Sequence, residues 1–384
     1  MGTSRGDRPR IKLGMIGFGT AARAFLPALA HHPEFEMVAI ADPFEPVRAG
    51  AAQEFGVTTY ADVPDLLRHP GLDAVYIGSP TQLHGRHVEL ACRSGKHVLV
   101  EKPMATNLDE AKAMVGFTQQ SGKVVLVGHS HSYDEPVHAM REIVRSGELG
   151  AARMINTWCY TDWVYRPRRP DELKDSEGGG VTIRQGAHQI DIIRYICGTD
   201  ALSVRAKTLD LDPARSVTGA HSIFIDFRDG MVATAVYNGY GRFMSTELTQ
   251  GVGEWGFIDK PRTPAPSRLT SEQELEAKRE RAKTAIPGRA PHQAHYGLTV
   301  VTCDAGEIRQ QPNGLVIYTR DGSRVVDLPT DTSPRERVLR EFSDAIYGIA
   351  PAFHDARWGL ANLEICMAAL RSAREGREIY LSHQ

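Results

Sequence analysis

The first third of the chain alternates two patterns of hydrophobic residues. Short apolar runs rich in β-branched residues are separated by longer segments whose apolar positions recur at helical spacing. The predicted strands are residues 11–16, 36–41, a short run near 58, 74–77, 97–100 and 124–127. The predicted helices between them include residues 21–30, 45–55, 84–94 and 108–121. This alternation is typical of βαβ units and predicts an α/β domain built on a doubly wound parallel sheet.

After a further predicted helix at residues 135–146, the pattern changes to strands separated by tight turns. The predicted strands are residues 152–160, 202–208, 222–227, 231–237, 298–303, 307–311, 315–318 and 323–327. Turn signals such as Arg228-Asp229-Gly230 and Asp321-Gly322 separate neighbouring strands. This half predicts an α+β domain with a mostly antiparallel sheet and segregated helices. We therefore expect two domains, residues 1–129 and residues 130–384.

Residues 254–297 fit neither pattern and form a predicted insertion. Three prolines between residues 260 and 268 precede a charged helical segment at residues 271–285. A connection of this length is more often functional or oligomer-forming than idle, with a plain solvated insertion as the alternative.

Composition narrows the class of protein. A chain of 384 residues with 41% hydrophobic residues is long enough for two full cores. Lys plus Arg number 45 against 47 Asp plus Glu, and this formal charge of -2 favours neither nucleic acid nor a membrane surface as partner. The five cysteines are scattered, and no set of histidines has the spacing of a metal site. We expect a cytoplasmic protein without a bound metal.

The segment between the first strand and the first helix carries the strongest chemical signal. It reads Gly17-Phe18-Gly19-Thr20-Ala21-Ala22, so that a glycine turn leads directly into a helix start. Such a turn lets a dinucleotide pyrophosphate lie against backbone N–H groups, and we expect Gly17, Gly19, Thr20 and Ala21 to contact the cofactor. Asp42 ends the second strand, where an acid binds the adenosine ribose. The residues after Asp42 offer no adjacent cation for a 2′-phosphate, which favours NAD over NADP; Arg48, a turn further on, argues the other way.

Two further motifs follow neighbouring strands at the carboxyl edge of the predicted parallel sheet. Ser79, Pro80 and Thr81, with His84 beyond them, follow the strand at residues 74–77, and Glu101, Lys102 and Pro103 follow the strand at residues 97–100. Open α/β sheets bind their ligands at this edge, so Ser79, Pro80, Thr81, His84, Glu101 and Lys102 are candidate cofactor contacts. A lysine here can meet the nicotinamide, although a solvated surface lysine is the alternative.

These motifs together resemble the Gfo/Idh/MocA oxidoreductase family, and the resemblance covers nearly the whole chain. It continues in Gly95-Lys96-His97-Val98, Gly178-Gly179-Gly180 and His188-Gln189-Ile190-Asp191. The resemblance implies a Rossmann domain for the cofactor and an open-faced antiparallel sheet for substrate and oligomer contacts. It implies that Lys102 and His188 are catalytic, and that the protein is a homodimer or homotetramer.

One position departs from the family pattern. The family's Asp-x-Gly-x-His reads Arg184-Gln185-Gly186-Ala187-His188 here, so a guanidinium replaces a carboxylate. A planar cation suits a substrate carboxylate, although Arg184 could also pair with a structural acid such as Asp191 or point to solvent.

Upstream of that position, aromatic residues lead into a basic, proline-stiffened segment. Tyr160 and Trp163 precede Arg166 and Arg168, and together they predict a lid over a flat anionic substrate. The alternative for the aromatic residues is a place in the core of the sheet.

The resemblance is nearest to phthalate cis-dihydrodiol dehydrogenases, through residues 237–241 and 358–366. We therefore expect NAD-dependent oxidation of a carboxylated cyclic diol, a phthalate-type cis-dihydrodiol, to the catechol. The alternatives are a sugar, sugar-acid or cyclitol dehydrogenase, a redox-neutral glycoside-cleaving enzyme with tightly held NAD, and a cofactor-sensing binding protein.

Overall fold

The computed structural model describes residues 8–30, 32–259, 269–284 and 290–384. Expectations for the proline-rich stretch at residues 260–268 and for residue 285 lie outside the described residues. The strands are β1 Ile11–Ile16, β2 Phe35–Ala41, β3 Thr58–Tyr60, β4 Ala74–Ile77, β5 His97–Glu101, β6 Val125–Gly128, β7 Ala152–Tyr160, β8 Ala201–Leu209, β9 Ala220–Phe227, β10 Val232–Asn238, β11 Leu298–Cys303, β12 Gly306–Gln311, β13 Gly314–Thr319, β14 Gly322–Asp327 and β15 Ile379–Tyr380. The helices are α1 Thr20–Ala30, α2 Glu45–Phe55, α3 Val63–Leu67, α4 His84–Arg93, α5 Leu108–Ser121, α6 Glu135–Ser146, α7 Gly180–Arg184, α8 Gly186–Cys197, α9 Ser271–Thr284, α10 Pro334–Ile346 and α11 Ala356–Glu375.

These elements belong to two compact units. The first unit comprises Met1–Gly128, Glu276–Gly288 and Arg335–Leu360. The second comprises His129–Leu275, Arg289–Pro334 and Ala361–Gln384.

The first unit contains a six-stranded sheet in the order β3-β2-β1-β4-β5-β6, with every neighbouring pair parallel. The doubly wound parallel sheet predicted from the sequence is therefore confirmed. All four residues of β4 are buried, as expected for a strand covered on both faces. The strand order reverses between β1 and β4, and ligands of open α/β sheets bind beyond the carboxyl ends of strands at such a point.

Local signals in the sequence fix where the helices of this unit begin and end. The side chain of Asn107 accepts a hydrogen bond from the Glu110 N–H and caps the start of α5. The same helix ends at Gly122, whose φ of 63° lies in the left-handed region that favours glycine.

The second unit contains a nine-stranded sheet in the order β14-β13-β12-β11-β7-β10-β9-β8-β15. Strands β7 and β10 are parallel neighbours, and the other described pairs are antiparallel, which confirms the predicted mostly antiparallel sheet. Helix α8 packs against β7 and β10. Along β9, Ile223 and Ile225 are buried whereas Ser222 and Phe224 are exposed, so the sheet is open on one face.

The segment that carries Arg184 and His188 consists of two helices. Helix α7 ends at Arg184, and α8 begins at Gly186. The Tyr296 hydroxyl donates to the carbonyl oxygen of Gln185 at 3.1 Å, and a bond from outside the helix at this point accompanies the break. Arg184 and His188 are therefore not neighbours on one continuous helix face.

Candidate active site

The glycine turn after β1 leaves room for a ligand to approach its backbone. Gly17 has a φ of 79°, and a Cβ on it would lie 2.9 Å from backbone atoms of Ser79, so glycine is required there. A Cβ on Gly19 would meet nothing within 4 Å. Helix α1 begins at Thr20, and Ala21 is exposed, so first-turn N–H groups follow the turn directly. Such groups bind anions, and the turn fits a dinucleotide pyrophosphate.

Asp42 is held beside this turn by the backbone. Its Oδ2 accepts a hydrogen bond from the Phe18 N–H, and its Oδ1 accepts one from the Phe44 N–H, both at 2.9 Å. A carboxylate has about four acceptor positions, so this acid can also accept bonds from ribose hydroxyls. Arg48 donates to the carbonyl oxygens of Asp42 and Pro43 at 2.7 and 2.9 Å, which brings a cation close to the acid.

Lys102 directly follows β5, and Glu101 fixes the backbone from which it extends. Glu101 Oε1 accepts a hydrogen bond from the Tyr76 hydroxyl at 2.9 Å, and its Oε2 accepts one from the Lys102 N–H at 3.2 Å. Burial raises the pKa of Glu101, while the nearby Lys102 charge and the Tyr76 hydrogen bond act in the opposite direction. Lys102 itself is half-buried.

His84 joins the two loops at this edge of the parallel sheet. Its Nε2 lies 2.9 Å from the carbonyl oxygen of Ser79, and its Nδ1 lies 3.1 Å from that of Pro103. Burial lowers the pKa of His84 to about 4, although the two carbonyl groups favour the protonated form. Both ring nitrogens contact backbone, so the contacts of His84 position the loop after Lys102. Thr81 is buried and Pro80 is exposed beside it.

In the second unit, His188 packs among aromatic rings. Its ring centroid lies 4.5 Å from that of His131 and 4.9 Å from that of Tyr296. The His131 and Tyr296 rings are themselves 4.6 Å apart. All three residues are buried, and we refer to His131, His188 and Tyr296 as the three-ring cluster.

His131 has a carboxylate at each ring nitrogen. Its Nδ1 lies 2.9 Å from Oδ2 of Asp134, and its Nε2 lies 3.4 Å from Oε1 of Glu254. Ionised carboxylates only accept hydrogen bonds, so both nitrogens carry protons and the ring is an imidazolium. Burial alone would lower the pKa of His131, but the two carboxylates raise it to about 9. The His131 ring beside His188 is therefore protonated at neutral pH, and the two carboxylates offset its charge.

The two ends of the predicted insertion supply Glu254 and Tyr296. The N–H of His295, next to Tyr296, donates to the carbonyl oxygen of Gly253, next to Glu254, at 3.1 Å. Gly297 follows Tyr296 with a φ of 72°, and a Cβ on it would lie 2.3 Å from the carbonyl oxygen of Trp158, so glycine is required there. The Tyr296 hydroxyl also donates to Oε1 of Gln185 at 2.5 Å. These bonds fix both residues beside His188.

The basic segment after β7 carries its own acids. Arg166 Nε donates to Oδ1 of Asp162 at 2.6 Å. Burial lowers the pKa of Arg166, but nearby carboxylates, Asp162 first, raise it beyond its ordinary value. Arg168 lies over the Trp163 ring at 4.1 Å and its NH1 lies 3.7 Å from Oε1 of Glu172. These arginines are thus partnered within the chain.

Arg184 is partnered in the same way. Its NH2 donates to Oδ2 of Asp171 at 3.2 Å, and its NH1 lies 3.9 Å from Oε1 of Glu172. Asp171 also accepts two hydrogen bonds from Arg169, at 2.9 and 3.1 Å. Arg184 is only 8% exposed, and burial lowers its pKa. The structural acid in contact with it is Asp171, where the sequence suggested Asp191.

The two aromatic candidates differ in exposure. Trp163 is buried beneath Arg168 and belongs to the core of the second unit. Tyr160 is half-buried, and its ring makes an edge contact with that of Phe243 at 5.2 Å. A role for either ring in substrate binding stays a prediction.

Family comparisons agree with this geometry in both halves of the chain. Residues 11–129 match a family model described as an oxidoreductase family with an NAD-binding Rossmann fold. Residues 137–247 match a model of the GFO/IDH/MocA C-terminal domain. The chain belongs to the Gfo/Idh/MocA family. This member of the family is therefore an NAD-binding oxidoreductase.

Relatives of this Gfo/Idh/MocA chain act on different substrates. It is 32% identical over 378 residues to 1-carboxy-3-chloro-3,4-dihydroxycyclohexa-1,5-diene dehydrogenase from Comamonas testosteroni, with 95% of both chains covered. It is 30% identical over 264 residues to inositol 2-dehydrogenase from Rubrobacter xylanophilus, with 67% of this chain and 73% of that protein covered. Among solved structures, a Bordetella bronchiseptica RB50 protein described as a candidate dehydrogenase superposes with a TM-score of 0.87 at 35% identity, covering 97% of this chain and 100% of that one.

Two findings concern what the described residues do not contain. None of their helices combines the length and apolar character needed to cross a lipid bilayer. Within the same residues, no three His, Cys, Asp or Glu side chains come together as a possible metal site.

Glu254, Tyr296, Asp134 and His131 were not predicted as site residues from the sequence. Nothing in the local sequence of Glu254 or Tyr296 sets them apart, because their proximity to His188 arises from the path of the insertion. The available signal was the insertion itself, whose length indicated a functional role.

Proposed function

We propose that this chain is an NAD-dependent dehydrogenase of carboxylated cyclic diols, oxidising a phthalate-type cis-dihydrodiol to the catechol. The observation that carries this proposal is the similarity to the Comamonas testosteroni enzyme, which is 32% identical over 378 residues with 95% of both chains covered. The name of that enzyme describes a carboxylated cyclic diol as its substrate.

In the proposed reaction, the substrate loses a hydride from one carbinol carbon and a proton from its hydroxyl. NAD, when bound, accepts the hydride. Lys102 is the proposed base for the hydroxyl proton, and His188 is the proposed second proton-handling group. The resulting ring ketone becomes the catechol when the remaining carbinol C–H proton moves to oxygen. Formation of the aromatic ring makes the oxidation favourable.

We propose NAD rather than NADP as the preferred cofactor. The carboxylate of Asp42 would repel a 2′-phosphate at the ribose. Two cations lie nearby: Arg48 donates to the carbonyl oxygen of Asp42, and Arg279 lies 4.5 Å from the Phe44 ring centroid. Arg48 is held by backbone carbonyl groups, and Arg279 NH1 is 3.5 Å from Oε2 of Glu276. These contacts favour a structural use of both arginines.

The runner-up is a sugar, sugar-acid or cyclitol dehydrogenase, which the similarity to inositol 2-dehydrogenase supports. A redox-neutral enzyme that keeps its NAD, and a cofactor-sensing binding protein, belong to different classes of function. Net NADH formation separates them, because only a dehydrogenase accumulates NADH with substrate.

We further propose that residues 1–129 act as the cofactor domain and residues 130–384 as the substrate and oligomer domain. A homodimer or homotetramer is the proposed assembly. Exposed hydrophobic side chains on strands of the second sheet, Met154, Phe224 and Tyr318, support an interface there.

The proposed function is tested by NADH absorbance against a panel of carboxylated cis-dihydrodiols, carboxyl-free cis-dihydrodiols, cyclitols and sugars. The proposal expects the carboxylated diols to give the highest kcat/KM. A higher kcat/KM with inositol or a sugar would indicate a cyclitol or sugar dehydrogenase instead.

A further inference from the structure

The sequence predicts three arginines of the second unit as contacts of an anionic substrate, and the structure gives them different partners. Arg184 donates through NH2 to Oδ2 of Asp171 at 3.2 Å, and NH1 of Arg168 lies 3.7 Å from Oε1 of Glu172. These two arginines already use outer nitrogens for acids of the same unit. A substrate carboxylate would have to displace those contacts to reach them.

Arg166, the third of these arginines, is held at the inner end of its guanidinium. Its Nε donates to Oδ1 of Asp162 at 2.6 Å. The outer nitrogens, NH1 and NH2, have no hydrogen-bond partner in the described part of the chain, and neither is fully buried. The whole side chain is 15% exposed, so a largely buried cation presents its unbonded N–H groups to solvent. These groups form a planar fork of donors.

The carboxylate of Asp162 fixes the direction of this fork because the chain around it is bonded to the sheet. The Thr161 hydroxyl lies 2.7 Å from that of Tyr237, and the Thr161 N–H donates to the Asn238 carbonyl oxygen at 2.8 Å. Gly241 has a φ of 67°, and a Cβ on it would lie 2.7 Å from Cβ of Asp162, so the backbone packs closely against this acid. The guanidinium is therefore positioned before a ligand binds, which lowers the cost of ordering it.

The Arg166 guanidinium lies near the three-ring cluster. Burial lowers the pKa of Arg166, but Asp162 and Glu254 raise it above its ordinary value. Burial raises the pKa of Tyr296, Glu254 raises it further, and the charge of Arg166 lowers it. The Tyr296 ring centroid is 4.9 Å from that of His188. The cation therefore acts on the ring that packs against the proposed proton-handling histidine.

We propose that the NH1 and NH2 fork of Arg166 binds the carboxylate of the substrate and makes the enzyme select carboxylated diols. This inference rests on the proposed function and adds a specificity-determining residue to it. Asp162 and Glu254 already offset the charge of Arg166, so the selection comes from directional hydrogen bonds and not from a net positive charge. A carboxylate accepts both bonds of the fork in one plane, whereas a single hydroxyl oxygen of a neutral diol does not match it.

The first test compares kcat/KM for a carboxylated cyclohexadiene cis-diol with that for the same diol without the carboxyl group. Arg166→Gln loses the charge and the fork, and the carboxylated diol should lose about 10- to 100-fold in kcat/KM. The carboxyl-free diol should lose less than about threefold. Arg166→Lys keeps the charge without the fork and should lose about threefold or more on the carboxylated diol. Equal losses on both diols in Arg166→Gln would overturn the assignment.

Arg215→Gln is the matched control for loss of a largely buried arginine. The Arg215 side chain is 13% exposed and belongs to the same unit, and both its NH1 and its NH2 donate to Glu274. This variant should lower the melting temperature, because an ion pair is lost, and should leave the ratio of the two kcat/KM values unchanged. An equal fall of the ratio in Arg215→Gln and Arg166→Gln would tie the preference to stability and overturn the assignment.

A binding measurement separates this assignment from the proposed function. Protein saturated with NADH is titrated calorimetrically with protocatechuate, a catechol that carries one carboxyl group, and with catechol itself. The unmodified protein should bind protocatechuate more tightly, and Arg166→Gln should reduce that difference by about tenfold or more. Equal affinities for the two compounds in the unmodified protein would overturn the assignment.

The two proposals fail in different ways. Loss of the affinity difference in Arg166→Gln, together with no NADH from any carboxylated diol, would keep the carboxylate site at Arg166 and overturn the proposed oxidation. NADH formation from the carboxylated diol with an unchanged affinity difference in Arg166→Gln would keep the proposed function and overturn the assignment.

Discussion

Replacement of Arg184 by alanine should lower stability more than substrate affinity. The guanidinium is buried and donates to Asp171 at 3.2 Å. Loss of a hydrogen bond between charged groups costs about 1.5–3 kcal/mol. The larger cost of about 3–5 kcal/mol for an isolated buried charge does not apply, because Asp171 keeps Arg169 as a partner. Glu172 likewise keeps a hydrogen bond from the Arg169 N–H at 2.8 Å.

Thermal melting and substrate kinetics on the same preparation separate the two effects. At about 2–4 °C per kcal/mol for a unit of this size, Arg184→Ala should lower the melting temperature by about 3–12 °C. KM for a carboxylated diol should stay within about threefold of the unmodified value. Arg205→Ala is the matched control, because Arg205 is an exposed arginine of the same unit and should change stability by less than about 0.5 kcal/mol.

A different pattern would assign Arg184 to substrate binding. Suppose that Arg184→Ala has the same melting temperature as the unmodified protein and that its KM for the carboxylated diol rises about tenfold or more. The guanidinium then contacts the substrate carboxylate.

Other predictions test the cofactor-binding half. Lys102→Met should bind NAD and have the melting temperature of the unmodified protein, while kcat falls by about 10² to 10⁴ because a proton-transfer group is lost. A kcat within a few fold of the unmodified value would show that another residue is the base. Asp42→Ala should weaken NAD binding and raise the affinity for NADP relative to that for NAD in a fluorescence titration. An unchanged ratio of the two affinities would contradict a contact between Asp42 and the ribose. Gly17→Ala should destabilise the protein, because its φ is 79° and its Cβ would lie 2.9 Å from the Ser79 backbone. Gly19→Ala should keep the melting temperature of the unmodified protein and weaken NAD binding. An equal fall in melting temperature in the two glycine variants would contradict the open space beside Gly19.

Much of the fold was predictable because local signals in the sequence agree with it. The alternation of buried runs and helical segments gave the parallel strands, and Gly17 and Asp42 follow β1 and β2 at the edge where cofactors bind. The antiparallel half followed from turn residues such as those at residues 228–230, which separate β9 from β10. These features depend on neighbours in sequence, which is why pattern alone identifies them.

The chemistry of the second unit was less predictable because it depends on contacts between distant residues. Asp134 and Glu254 both raise the pKa of His131, and Glu254 is far from it in sequence. The Tyr296 hydroxyl that bonds to Gln185 at the break between α7 and α8 is again a long-range contact. The pairing of Arg184 with Asp171 also lay outside any periodic pattern.

The central claim is that the chain oxidises a carboxylated cyclic diol with net reduction of NAD. The most direct measurement is the ratio of NADH formed to catechol formed, with a carboxylated cyclohexadiene cis-diol as substrate and NAD in excess. The account predicts one NADH for each carboxylated catechol, because each substrate molecule delivers one hydride. Turnover without NADH, or no turnover of this diol alongside rapid oxidation of inositol, would contradict it.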